Sequence, residues 1–189
     1  PVWRWRVIQT AAYRFASIGG IISAFRWPEP MSMQFECVPA WKQNNPKFEQ
    51  DAIAMWAETG RLLQKHSPEE RAKELAVLAY SDGRLIGITT AIVGLYPALR
   101  QKFAFMRLLL RPEAEKSGVV VPLTFAFRET LRQWSEDNPA EKVAGYAAVL
   151  SNARYGNRGV LNAGLTLVGH SPEGHQVRVC WWDHFRLDV

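Results

Sequence analysis

The sequence predicts a mixed α/β domain, in which an antiparallel meander is followed by alternating strands and helices. Its 189 residues are enough for one sizeable core, and 48% hydrophobic against 22% charged residues is a globular composition. Two apolar runs flank Ser81-Asp82-Gly83-Arg84, and Asp-Gly in that position favours a tight hairpin turn. After Gly118 the apolar residues recur every three or four positions, which is the period of a helix.

Two helices are predicted between the first strand and this hairpin. Alternating character over residues 32–40 predicts the first strand. Apolar residues at helical spacing over residues 47–66, directly after Pro46, predict an amphipathic helix. Ser67 and Pro68 then suit the cap and the first position of a second, short helix.

The second half of the chain alternates strands with helices. Residues 94–101 are predicted to form a loop and residues 102–110 a strand. A helix follows over residues 119–134, and Asn138-Pro139 ends it because proline disrupts a continuing helix. The last predicted elements are a strand over Val143–Leu150, a short helix over residues 151–164 closed by Gly164, and two strands around residues 172–174.

Basic charge is concentrated in the first 27 residues. They carry four arginines and no acidic residue, whereas the rest of the chain has 19 basic and 18 acidic residues. A nearly neutral body lacks the positive surface of a nucleic-acid-binding domain, so no nucleic-acid partner is expected. Arg14 and Gly19-Gly20 interrupt the apolar part of this segment, so no membrane-spanning helix is expected either. We interpret residues 1–27 as a poorly ordered basic and aromatic extension, with an amphipathic surface helix as the alternative, and residues 28–189 as the domain.

The two cysteines, Cys37 and Cys180, lie far apart in the sequence. They show neither the spacing of metal ligands nor a disulfide framework, so no metal site is predicted. We expect both thiols to be buried as small hydrophobic groups, in a protein of the reducing cytoplasm.

Three stretches and the order of the elements point to a known family. "DGRLIG" lies in the central hairpin, "LLLRPEAEKSGVVVPL" spans a strand, a loop and a helix, and "LSNARYG…LNAGLTLVG" leads from a helix into a strand. With the order β, α, α, β, β, β, α, β, α, β, β, the chain from about Met31 to Phe185 resembles the GNAT superfamily, the Gcn5-related N-acetyltransferases. The resemblance implies a GNAT-like α/β (α+β) fold, with a twisted, mostly antiparallel mixed sheet and helices on both faces.

In that family, the loop of the second stretch presents backbone N–H groups to the pyrophosphate of CoA, and the helix N-terminus adds partial positive charge. If the family's proline is matched to Pro112, Gly118 keeps the first glycine of the signature. Glu115 then stands at the Arg/Gln position and Val120 at the second glycine, which makes the acetyl-CoA loop a degraded one. An ordinary strand-to-helix turn is the alternative. The resemblance implies that these residues bind acetyl-CoA: Leu108, Leu110, Arg111, Lys116, Ser117, Gly118, Val119, Val120 and Asn152.

The resemblance also implies direct attack of an amine on the acetyl thioester, without a covalent enzyme intermediate. A backbone N–H within residues 108–110 would stabilise the oxyanion. Tyr155 is the candidate acid for the leaving thiolate, about one turn before the family's usual position near Val160. An alternative role for Tyr155 is to cover the flank of its helix. The candidate bases are four side chains: Glu36, Tyr80, Asp183 and His184.

The sequence therefore predicts an enzyme, an acyl-CoA-dependent N-acyltransferase that transfers an acetyl group from acetyl-CoA to an amine acceptor. The alternative is a non-catalytic GNAT-like domain that binds a small ligand or a protein partner in the same cleft. Affinity for acetyl-CoA discriminates between the two, and the oligomeric state is left open.

Overall fold

The computed structural model describes residues 5–6, 34–61, 67–150, 161 and 164–186 of the chain. These residues contain eight strands, three α-helices and two short 3-10 turns, at Pro112–Ala114 and Pro139–Glu141. The strands are β1 (Trp5–Arg6), β2 (Glu36–Pro39), β3 (Leu75–Ser81), β4 (Arg84–Tyr96), β5 (Gln101–Leu110), β6 (Val143–Leu150), β7 (Thr166–His170) and β8 (Gln176–Trp181). The helices are α1 (Pro46–Thr59), α2 (Pro68–Ala72) and α3 (Val120–Asp137).

All eight strands form one sheet in the order β1-β2-β3-β4-β5-β6-β8-β7. The neighbours β5 and β6 are parallel, and the other neighbouring pairs are antiparallel. A parallel pair needs a crossover connection, and α3 supplies it. The prediction of a mixed, mostly antiparallel sheet is confirmed.

Helices cover both faces of this sheet. On one face α3 buries Leu123, Phe127 and Leu131 in a core that includes Val77 and Ala79 of β3. On the other face, α1 and α2 pack on the alternate β3 residues Leu78 and Tyr80. Successive strand residues point to opposite faces, so one strand contributes to both cores and the sheet is held between two helical layers.

The hairpin between β3 and β4 has the predicted turn, since Asp82 and Gly83 both have positive φ, 48° and 75°. The loop predicted over residues 94–101 is too long. Strand pairing continues to Tyr96↔Gln101, because the Tyr96 ring packs against Phe103 and Phe105 at centroid distances of 6.5 and 6.4 Å.

Helix and strand ends elsewhere agree with local signals in the sequence. Asn45 caps α1, which stops at Gly60 with φ 61°, and α3 ends before Asn138. The part of the first helix predicted over residues 62–66 and most of the helix predicted over residues 151–164 lie outside the described residues.

At the N-terminus, the backbone of Trp5 and Arg6 pairs with Cys37 and Glu36 of β2. The rest of the predicted extension, apart from these two residues, lies outside the described residues. In the described part of the chain, no helix is both long enough and apolar enough to cross a bilayer.

Candidate active site

The two parallel strands separate at their carboxyl ends. Pairing of β5 with β6 runs from Lys102↔Val143 to Met106↔Ala148 and ends there. Pairing of β5 with β4 continues for four more residues, to Gly87↔Leu110. In the described residues, the end of β5 therefore has no strand partner on its β6 side, and a gap opens between the two strands.

Backbone N–H groups of β5 point into this gap. Arg111, directly after the strand, donates its N–H to the Ile86 carbonyl of β4 at 2.9 Å. Because N–H directions alternate along a strand, the Leu109 N–H also points toward β4. The N–H groups of Leu108 and Leu110 point the other way, toward the gap.

The loop between β5 and α3 is anchored by two buried side chains. Ala114 and Val119 are both fully buried in the core beneath α3. Between these two residues the chain turns through Gly118 at φ 82°, a left-handed conformation that favours glycine. Val120 also packs against this core, so its side chain is turned inward rather than across the loop.

Several backbone donors of this loop have no acceptor among the described residues. The Ser117 hydroxyl donates to the Ala114 carbonyl at 2.8 Å and accepts from the Val119 N–H at 3.4 Å. Within residues 115–121, the described hydrogen bonds leave four N–H groups without an acceptor, those of Lys116, Gly118, Val120 and Val121. The first N–H groups of any α-helix lack intrahelical partners, and here they lie at the positive end of the 18-residue α3. The cluster can hold an anion such as a phosphate.

Ion pairs fasten the loop to the end of α1. Glu115 pairs with Arg61 at 3.2 Å, which offsets its negative charge near the donors. The role predicted for Arg111 in CoA binding stays a prediction: its Nη1 pairs with Glu58 at 2.6 Å and its Nε donates to the Leu85 carbonyl at 2.7 Å. The buried Arg111 side chain thus ties the loop to α1 and β4.

The surroundings of Tyr80, His184 and Asp183 do not favour them as the base. The Tyr80 hydroxyl donates to Asp51 at 2.7 Å, and burial together with that carboxylate raises the pKa of Tyr80 well above its usual value. The Nε2 of His184 lies 3.2 Å from the Ser135 hydroxyl, which also donates to the carbonyl of Val143. Val143 begins β6, so His184 is at the end of the sheet opposite the gap, and Asp183 lies beside it in the sequence.

Of the remaining predicted side chains, the structure describes Glu36, Cys37 and Cys180 but not Asn152 and Tyr155. Glu36 lies on β2 opposite Tyr80 and stays a candidate base. Tyr155 and Asn152 lie outside the described residues, so their roles stay predictions. Cys37 and Cys180 are both buried free thiols, as predicted. Across the part of the chain that the structure describes, no three His, Cys, Asp or Glu residues are grouped so that they could hold a metal ion.

A charged cluster near the gap was missed at the sequence level. Arg71 of α2 and Arg107 of β5 both contact the same oxygen of Glu74, at 3.1 and 2.6 Å. Arg107 is the first residue of β5 beyond its last pairing with β6. The one sequence signal was the charge of Arg107 within the apolar run "KFAFMRLLL".

Comparisons with known proteins concern the fold. No family model and no curated protein matches this chain. A crystal structure of a bacterial toxin superposes with a TM-score of 0.51 at 15% identity, over 78% of this chain and 92% of the other. A GNAT-family acetyltransferase from Streptococcus pneumoniae superposes with a TM-score of 0.45 at 14% identity, over 77% of this chain and 96% of the other. The third structure is N-acetylglutamate synthase from Neisseria gonorrhoeae, complexed with coenzyme A and L-arginine. It superposes with a TM-score of 0.46 at 14% identity, over 79% of this chain and 34% of the other.

The protein has a GNAT-like fold. The mostly antiparallel mixed sheet, the helices on its two faces and the loop that leads from β5 into α3 agree with what the sequence resemblance implied. At 15% identity, the likeness to the bacterial toxin concerns the fold alone.

Proposed function

We propose that the protein is an acyl-CoA-dependent N-acyltransferase that transfers an acetyl group from acetyl-CoA to an amine. The observation that carries the proposal is the pairing of two features on one strand. The gap beyond Met106 has inward-pointing N–H groups at its edge, and the loop that follows Leu110 has four N–H groups without an acceptor in the described residues.

The free donors of the loop fit the pyrophosphate of CoA. The N–H groups of Lys116, Gly118, Val120 and Val121 supply hydrogen bonds, and the helix N-terminus supplies partial positive charge. Lys116 is exposed and adds a cation, whereas the carboxylate of Glu115 is offset by Arg61. A backbone cradle does not depend on the side chains of the family signature, which is why the loss of the second glycine is compatible with binding.

Acetyl-CoA supplies the thioester that is broken in the reaction. The amine nitrogen forms a bond to the acetyl carbon, the carbon–sulfur bond breaks, and the proton lost by the amine balances the one that the thiolate takes up. The N–H groups of Leu108 and Leu110 are the candidate donors to the oxyanion. Glu36 remains the candidate base within the described residues, and Tyr155 the candidate acid.

Release of free CoA thiol tests the proposal. The protein is incubated with acetyl-CoA and a mixture of amines, and CoA is followed with a thiol reagent. We expect release that depends on both the amine and the protein. Acetyl-CoA binding without any amine-dependent release would favour the non-catalytic alternative, and the absence of binding at millimolar acetyl-CoA would contradict the proposal.

A further inference from the structure

The cluster of Arg71, Glu74 and Arg107 carries more positive than negative charge. In the described residues, the ion pairs of both arginines involve Glu74 alone, and both use its Oε2. Arg71 is 7% exposed, whereas the Arg107 side chain is 38% exposed. One carboxylate thus serves two guanidinium groups, and the cluster keeps a net positive charge that is partly removed from water.

The more exposed guanidinium group of this cluster is that of Arg107. Its Nη2 binds Glu74 and its Nε donates to the Thr90 hydroxyl at 3.3 Å, so in the described residues Nη1 has no partner. Burial, and next the repulsion from Arg71, lower the pKa of Arg107, and Glu74 opposes this effect. A second anion beside Arg107 would favour its charged form and so offset both the cost of burial and the repulsion from Arg71.

The position of Arg107 connects the cluster with the gap. Arg107 lies one residue beyond the last β5–β6 pair, and it shares the sheet face opposite α3 with Phe105 and Leu109. On the same face, Ile92 and Val149 are 40% and 47% exposed. A cationic group and an open apolar floor therefore lie side by side where the two strands separate.

From this arrangement, and resting on the proposed function, we infer that the amine acceptor carries a carboxylate or a phosphate group, which Arg107 binds beside Arg71. The acceptor also has an apolar part, which lies on the floor formed by Phe105, Ile92 and Val149. A guanidinium binds either anion through paired N–H donors. The site selects the acceptor and is separate from the loop that would bind CoA. Arg107 is a specificity-determining residue rather than a proton carrier.

Direct binding tests this inference without any acetyl transfer. Phenylacetate and phenyl phosphate are titrated into the protein, and the neutral phenylacetamide is the matched control ligand. Binding is followed by NMR through the signals of the Arg107 Nε–H and of the backbone amides of Phe105 and Ile92. We expect at least one of the two anions to bind more tightly than phenylacetamide, and the stronger one identifies the anion. Equal binding of the amide and both anions would overturn the inference.

Substitution separates recognition from stability. Arg107→Gln leaves Glu74 paired with Arg71, so the fold keeps that ion pair, and we expect about tenfold weaker anion binding with unchanged phenylacetamide binding. Arg132→Gln is the control, because Arg132 also bridges two carboxylates, Glu129 and Glu136, but lies on α3. Loss of anion binding in both variants, or in neither, would contradict the site.

The activity arm compares L-phenylalanine with L-phenylalaninamide as acceptors. The amide has the less basic amine and is intrinsically the readier nucleophile at neutral pH, so a preference for the acid must come from binding. We expect a higher kcat/KM for the acid, lost in Arg107→Gln. A preference for the amide in the native protein would overturn the inference. CoA release from neither acceptor, with anion binding intact, would count against the proposed function and not against the anion site.

Discussion

Replacement of Gly118 by alanine is the perturbation that best isolates the loop. Gly118 has φ 82°, and an L-residue in the left-handed region costs about 1–2 kcal/mol. The loop can avoid this strain by rotating its backbone, which would move the N–H groups of Gly118 and Val120 out of their present directions. We expect acetyl-CoA affinity to fall about tenfold, which corresponds to about 1.4 kcal/mol, and the melting temperature to fall by about 2–8 °C.

The chain supplies a matched control for this change. Gly174, in the turn between β7 and β8, also has φ 82°, and a Cβ there would meet nothing within 4 Å. Gly174→Ala should therefore lose a similar amount of stability and keep its acetyl-CoA affinity. Calorimetric titration gives the affinities and thermal unfolding the stabilities. Equal affinity of both variants for acetyl-CoA would refute the idea that the loop backbone binds the cofactor.

Three further predictions concern charge, packing and thiol chemistry. Glu115→Gln should tighten acetyl-CoA binding by about 1 kcal/mol or less, and titrations at increasing salt concentration should show this gain becoming smaller. An unchanged affinity at low salt would argue against a phosphate near this carboxylate. Gly145→Ala places a Cβ against the backbone oxygen of Cys180 and should cost about 3 kcal/mol in denaturant unfolding. Gly94→Ala, whose nearest contact is 3.8 Å, should cost much less, and similar losses in the two variants would contradict the close approach at Gly145. Burial raises the pKa of the Cys37 thiol to about 11, so at pH 8 a thiolate-specific reagent should label Cys37 only after denaturant is added, and labelling of the native protein would contradict its burial.

Local signals in the sequence were sufficient for much of the fold. The hairpin depends on Asp82-Gly83, whose conformational preference acts within four residues, and the strand Val143–Leu150 was predicted with its observed bounds. The extension of β4 to Tyr96 was missed because it depends on contacts with Phe103 and Phe105 across the turn. Sequence propensity does not contain such contacts.

The candidate site was harder to predict because it depends on side-chain direction. The backbone donors around Gly118 were predicted, since a loop before a helix always leaves N–H groups free. Arg111 was predicted to help bind the phosphates, and its contact with Glu58, 53 residues earlier, has no signal in the local sequence. The contact of Arg107 with Glu74 spans 33 residues, so nothing in the local sequence joins them.

The most direct test of the central claim is an amide NMR titration of the full chain with acetyl-CoA. If the loop and the gap bind acetyl-CoA, the N–H signals of Lys116, Gly118, Val120 and Val121 should shift with saturation, together with those of Leu108 and Leu110. The turn around Gly174 should not respond. Saturable shifts that avoid these six amides, or the absence of shifts at millimolar acetyl-CoA, would contradict the account.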